Sequence, residues 1–341
     1  MKIILPVAGK GTRLRPHTLT KPKSLVRVAG KTVLQHVIDG LQKLESERVK
    51  KGDEFEYIII TDENGHIIQK FVEEHYPDKK VTYMTQTELL GPAHAVSLAS
   101  PRIHKGDDVL VVFNDTLFVT DLTRIPTLCE GLDGLIYSKE VEDYKRFGVN
   151  VMKDNIIVDM VEKPDEPISK LAQVGMYYMK DGKTFMDYIN RSIKENRKVK
   201  GEFYLPEVFK LMIQDGYKLG APEIEEWLDC GKPETLLQTN KYLLERATGN
   251  HIFIEGCVII PPVAIHPSAE IKHSVIGPYV SIAENCKVQD SIIKNSVVNP
   301  ESDLNGVMLE ESLLGDKVVL IGQLQKMNIG DNSIIDLSGK N

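Results

Sequence analysis

Up to residue 248 the chain alternates short apolar runs with stretches of helical period. Residues 3–7, 57–61, 81–86 and 109–114 are apolar runs of strand length, while Val33, Leu34, Val37, Ile38, Leu41 and Leu44 recur at the spacing of one buried helix face. With helical periods also at 67–75 and 93–100, the pattern predicts strand–helix–strand winding and a Rossmann-like, mainly parallel α/β sheet flanked by helices. From residue 133 the runs 135–137, 149–152, 156–161 and 174–179 follow one another across short turns, which predicts antiparallel strands inserted to make a mixed sheet. Helices resume at 182–196, 204–215 and 233–247.

Beyond Gly249 the helical period vanishes and aliphatic residues recur every six positions. Ile259, Ile265 and Ile271 form one series, and Ile276, Ile282 and Val288 continue it after a slip of one residue. Serine followed by two aliphatics recurs at Ser274, Ser291, Ser296, Ser312 and Ser333. A six-residue period predicts a parallel β-helix, in which each flat face contributes one inward aliphatic per coil. The boundary is expected at 248–252, giving domains 1–248 and 249–341.

Composition adds mainly exclusions. The 341 residues carry 42 basic and 49 acidic side chains, a net charge of -7 without blocks of like charge, so there is no electrostatic footprint for nucleic acid or an anionic membrane. The opening MKIILPVAGKGTR holds too short an apolar run for a signal-peptide core, and a cytoplasmic protein is expected. Cys129, Cys230, Cys257 and Cys286 are scattered and read as buried free thiols rather than zinc ligands or disulfides.

The strongest local signal is Leu5-Pro6-Val7-Ala8-Gly9-Lys10-Gly11-Thr12-Arg13-Leu14-Arg15-Pro16, followed by Lys21-Pro22-Lys23. A glycine-bearing loop directly after the first strand lets backbone N–H groups approach a polyphosphate, and Arg13 and Lys23 add charge, which suits a nucleoside triphosphate. The spacing matches neither the P-loop nor the dinucleotide-binding fingerprint.

With Gln86, Leu90-Gly91, Asn114-Asp115, Phe147-Gly148-Val149, Val161-Glu162-Lys163-Pro164, Val174-Gly175-Met176-Tyr177, Lys200-Gly201-Glu202 and Trp227-Leu228-Asp229-Cys230-Gly231 in order, the whole chain resembles the sugar-phosphate nucleotidyltransferases. That family includes glucose-1-phosphate thymidylyltransferase and its uridylyl and guanylyl relatives. The resemblance implies a catalytic domain followed by a left-handed parallel β-helix of hexapeptide repeats, which serves oligomerisation or regulation. It implies transfer from a nucleoside triphosphate to a sugar 1-phosphate, with dTTP and glucose 1-phosphate foremost and UTP- or GTP-using relatives as alternatives.

Residue by residue, it implies catalytic roles for Arg13, Lys23 and Lys163, the last on the sugar phosphate. Ala8, Gly9, Gly11, Thr12, Gln86 and Gly91 would hold the nucleotide, and Gly148, Glu162 and Val174 the sugar. Asp115 and Asp229 would hold Mg2+, which takes oxygen ligands and needs only one or two carboxylates beside phosphates and water. A sugar 1-phosphate is already an anionic nucleophile, so no general base is required and catalysis reduces to positioning and charge neutralisation. Three positions depart from the thymidylyl pattern: Ala8 stands for a second glycine, Ser24 for a proline and Cys230 for a threonine. Two competing readings are a hexapeptide acyltransferase using His266 and His273, and a silent regulatory subunit. The exposed rungs of a β-helix stack further imply a homo-oligomer, dimer or tetramer.

Overall fold

The computed structural model describes residues 1–9, 11–247 and 252–322, folded as two compact units, Met1–Thr239 and Asn240–Asn341. The expected boundary at 248–252 begins at residues that lie outside the described ones, as does the Ser333 unit. Among the described residues no helix is long and apolar enough to cross a membrane.

The first unit opens with β1 (Lys2–Pro6), a small hairpin of β2 (Arg27–Val28) and β3 (Lys31–Thr32), and α1 (Val33–Lys50). It continues through β4 (Glu56–Thr61), α2 (Gly65–His75), β5 (Val81–Thr85), α3 (Pro92–Ser97), β6 (Val109–Val112), β7 (Thr116–Val119) and α4 (Ile125–Leu128). Then come β8 (Gly134–Glu140), β9 (Gly148–Lys153), β10 (Ile156–Glu162), β11 (Leu171–Met179), α5 (Gly182–Lys194), α6 (Leu205–Gln214), β12 (Leu219–Gly220) and β13 (Glu226–Asp229). Helix α7 (Pro233–Arg246) runs across the division.

The main sheet has the order β10-β9-β11-β6-β1-β4-β5, with β8 joined to β11 and β12. Strands β6, β1, β4 and β5 are parallel, and β8 to β11 are the inserted antiparallel strands. All six residues of β4 are buried, as a strand covered on both faces requires. Helix α1 begins where the sequence signals it: Thr32 accepts from the Gln35 N–H, and the Gln35 side chain accepts from the Thr32 N–H.

After β1 the chain winds to β4 and β5 on one side and then returns to β6 on the other. In such sheets ligands lie outside the carboxyl ends of the strands at this reversal. The opposite end is closed by charge. Fully buried Glu56 pairs with Lys2 at 2.7 Å and Arg102 at 2.8 Å and accepts from Thr82 at 2.7 Å. Burial alone would raise the Glu56 carboxyl, but these partners outweigh it and hold it at about 2.

Among the described residues the second unit is a stack of parallel coils with three four-stranded faces. Register pairs Val258 with Val275, Ile292 and Met308 in succession, so the coils span 17, 17 and 16 residues. Eighteen would be three hexapeptides; the shortened coils produce the slip seen in the periodicity. Ile271, Ile276, Ile282 and Val288 fill the core, with Ile259 and Ile265 partly buried at the first coil.

Three of the recurrent serines are tied to the coil above, while Ser312 Oγ donates to the Glu310 carbonyl. Ser274 Oγ accepts from the Ser291 N–H, Ser291 Oγ from the Val307 N–H, and Ser296 Oγ from the Ser312 N–H, at 3.0–3.2 Å. One outward column is apolar: Val258 is 56% exposed and Met308 79%. His266 and His273 are both exposed.

Candidate active site

The site is assembled from the loops at the carboxyl ends of β1, β5 and β6. Gly11 has φ +59, and a Cβ there would come within 3.0 Å of Thr18 and 3.1 Å of Lys23. Only glycine lets this loop fold over itself, closed by Thr18 Oγ1 donating to the Gly11 carbonyl at 2.7 Å. Lys23 is thereby carried to within 3.5 Å of the Asp115 carboxylate. Arg13 lies on a short turn anchored by fully buried Leu14. Lys10 lies outside the described residues.

These groups border a cavity of about 490 Å³ whose wall includes all six expected nucleotide contacts, Ala8, Gly9, Gly11, Thr12, Gln86 and Gly91. Gln86 is buried, and its Nε2 lies 3.0 Å from His94 Nδ1. Gly91 has φ +115, and a Cβ there would sit 2.7 Å from the Phe203 backbone, so the Leu90–Phe203 docking that shapes this wall excludes any side chain.

A second cavity of about 630 Å³ shares Arg13, Pro92, Phe113 and Asp115 with the first. It is bordered by the expected sugar residues Gly148, Glu162 and Val174, together with Lys163 and Asp229. A two-stranded pairing brings the two aspartates to one place: Asp229 on β13 stands opposite Thr116 on β7, next to Asp115, and the Cys230 N–H donates to the Asp115 carbonyl at 3.2 Å. Asp229 Oδ1 accepts from the Gly231 N–H at 2.7 Å. A Cβ on Gly231 would lie 2.7 Å from that oxygen and 3.2 Å from Arg13 Nη2, so glycine here lets the guanidinium lie against the turn.

Burial pushes the Glu162 carboxyl up, partly offset by Lys163 at 3.5 Å. Burial opposes the charge on Lys163, but Tyr204 and Glu162 outweigh it and hold the ammonium above its ordinary range; its Nζ lies 5.1 Å from the Tyr204 ring centroid. The Cys230 thiol is wholly buried and pushed up to about 12, so it stays protonated and takes no part as a nucleophile.

Several polar groups at this site are given no role by the sequence. Ser24 Oγ and both amide atoms of Asn114 on the first cavity, and Thr116 Oγ1 and Trp227 Nε1 on the second, are buried with no hydrogen-bond partner among the described residues. An orphan left unpaired costs roughly 1–3 kcal/mol, so these atoms are polar groups that a ligand in the cavities could satisfy. Gln173, also on the second cavity, heads a buried polar chain through Asn150.

Residues 1–246 match the nucleotidyl transferase family model and residues 248–320 the GlmU-like C-terminal hexapeptide model. The chain belongs to the nucleotidyl transferase family, among the sugar-1-phosphate nucleotidyltransferases. It is 29% identical to a glucose-1-phosphate thymidylyltransferase of Streptomyces antibioticus over 99% of both chains. It is 30% identical to the bifunctional protein GlmU of Methanocaldococcus jannaschii, covering 98% of this chain and 80% of that one. The fold is shared with a UDP-glucose pyrophosphorylase complexed with UDP-glucose, at TM-score 0.60 and 19% identity over 72% of this chain and 99% of that one.

Proposed function

We propose that the protein transfers a nucleoside monophosphate from dTTP to glucose 1-phosphate, releasing pyrophosphate, with Mg2+ as cofactor. The observation that carries this reading is the pair of adjoining cavities, one walled by the glycine loop and the other by Glu162 and Lys163, which share Arg13 and Asp115. A nucleotide in one and a sugar phosphate in the other would meet at those shared residues. Near-full-length likeness to a thymidylyltransferase favours dTTP among nucleotides.

The residues fit a magnesium ion. Asp115, just before β7, and Asp229, at the end of β13, offer hard oxygen donors, the Asp115 carboxylate is about half exposed at 49%, and the buried hydroxyl of Thr116, which follows Asp115 and pairs with Asp229, has no partner among the described residues. Mg2+ held by these two carboxylates would supply charge neutralisation on the phosphates. Lys23 neutralises the triphosphate, and Arg13 steadies charge at the α-phosphorus and on departing pyrophosphate. Lys163 binds the sugar phosphate and screens it from the nucleotide's charge, and Glu162 accepts hydrogen bonds from the sugar. The phosphate oxygen attacks the α-phosphorus in line, the bond to pyrophosphate breaks, and no proton has to move.

We further propose that the coils wind left-handed and that the apolar column with Val258 and Met308 is covered by self-association. The substrate reading is tested by pyrophosphate release from dTTP, UTP, GTP, CTP and ATP with glucose 1-phosphate, then with mannose, galactose and glucosamine 1-phosphates, each with and without EDTA. Release that needs both substrates, vanishes with EDTA and is fastest for dTTP with glucose 1-phosphate supports it; a faster pair replaces that choice.

A further inference from the structure

Three buried polar side chains on neighbouring strands form a directional chain that ends on the second cavity. Ser138 on β8 and Asn150 on β9 are fully buried, and Gln173 on β11 is 6% exposed. Ser138 Oγ donates to the Ile136 carbonyl at 2.8 Å. Asn150 Nδ2 donates to Ser138 Oγ at 2.8 Å, and Gln173 Nε2 donates to Asn150 Oδ1 at 2.9 Å.

The polarity of this chain follows from its anchor. A backbone carbonyl only accepts, so the single serine proton is spent on Ile136, and the serine oxygen must accept. Asn150 must therefore turn its NH2 group to Ser138 and its oxygen to Gln173. Gln173 must in turn give its NH2 group to Asn150, which leaves its Oε1 as the end of the chain on a residue that borders the second cavity. An amide that alone could present either end is thus held in one sense.

Glu162 stands beside it. The position that a Cβ on Gly148 would take lies 2.8 Å from Glu162 Oε2, 3.3 Å from Gln173 Cδ and 3.4 Å from Gln173 Nε2, the nitrogen already engaged by Asn150. An ionised carboxylate accepts only, and both residues border the second cavity, Glu162 as an acceptor and Gln173 with Oε1 as the acceptor its amide has left over.

We propose that Ser138 and Asn150 are positioning residues that lock the Gln173 oxygen toward the sugar. Gln173 and Glu162 then select a hexose 1-phosphate with free hydroxyls over one with an acetamido group in their place. Hydroxyls donate to both acceptors, whereas an acetamido group offers a single N–H and brings a carbonyl acceptor and a methyl group that these two acceptors cannot satisfy, and such mismatches discriminate strongly in a buried site. The inference rests on the second cavity taking the sugar phosphate, as proposed above.

The test compares kcat and KM for glucose 1-phosphate and N-acetylglucosamine 1-phosphate, at saturating nucleotide, in wild type, Ser138→Ala, Ser138→Thr and Asn150→Leu, with thermal melts of each. Wild type is expected to prefer glucose 1-phosphate. Ser138→Ala frees both amides to turn and is expected to reduce that preference roughly tenfold through the sugar KM, with the nucleotide KM unchanged. Ser138→Thr keeps the hydroxyl and restores the preference, and Asn150→Leu behaves as Ser138→Ala. A lower melting temperature in Ser138→Ala with an unchanged sugar preference makes the chain merely structural and overturns the proposal, as does a wild type that prefers the acetamido sugar. Absence of turnover with either sugar and any nucleotide overturns the transferase reading and this inference with it.

Discussion

Gly148→Ala probes the cavity proposed for the sugar with a single methyl group. The added Cβ would lie 2.8 Å from Glu162 Oε2 and 3.3 Å from Gln173 Cδ. Ordinary van der Waals contact starts near 3.4 Å, so the carboxylate must retreat by about half an ångström. It has little room to do so, being 10% exposed with Lys163 3.5 Å from its other oxygen. A hydrogen bond from a sugar hydroxyl to a charged acceptor contributes about 1.5–3 kcal/mol, and a carboxylate moved that far loses most of it. At about 1.4 kcal/mol per decade, kcat/KM for glucose 1-phosphate falls roughly 10- to 100-fold. Initial rates at saturating dTTP over a range of glucose 1-phosphate measure this, with a thermal melt to establish that the variant is folded. An unchanged kcat/KM, or a loss carried by the KM for dTTP, would refute the placement of Glu162 on the sugar.

Asp115→Asn lowers turnover by at least about 100-fold with smaller changes in both KM values, and unchanged kinetics in Asp115→Ala would exclude the metal assignment. Lys163→Ala raises the KM for the sugar phosphate more than it lowers kcat, a split read directly from steady-state rates. Glu56→Gln addresses stability. The Glu56 carboxyl is held at about 2 in the fold against an ordinary 4.5, so its ionised form stabilises the fold above pH 4.5, and that contribution is lost as pH falls toward 2. Chemical denaturation at pH 7 shows the variant less stable by roughly 3 kcal/mol, and the gap narrows below pH 4.5; a gap that widens on acidification contradicts the network.

Local pattern carried much of this fold. The strand–helix alternation before residue 133 is set by periodicities within single elements, and the coils of the second unit announce themselves as a six-residue repeat with shortened turns. The glycine loop was legible for the same reason: its demand for backbone space is written in consecutive residues. The pairing of β7 with β13 was not, because neither short strand has a periodicity of its own and their partnership is decided by the packing of distant segments. That pairing is what brings Asp229 beside Asp115, so the aspartates were read only through family resemblance. The Ser138–Asn150–Gln173 chain was equally invisible, since each residue alone reads as a polar position in a strand. The partnerless Ser24, Asn114 and Thr116 groups show only once burial is known.

Attack of the sugar phosphate on the α-phosphorus is tested most directly by following label. With α-³²P dTTP, glucose 1-phosphate and Mg2+, all transferred label is predicted in a nucleotide-sugar, with one pyrophosphate released per product formed and no unlabelled nucleotide-sugar. Label released as dTMP, or remaining in dTTP while glucose 1-phosphate is consumed, would contradict the proposed transfer.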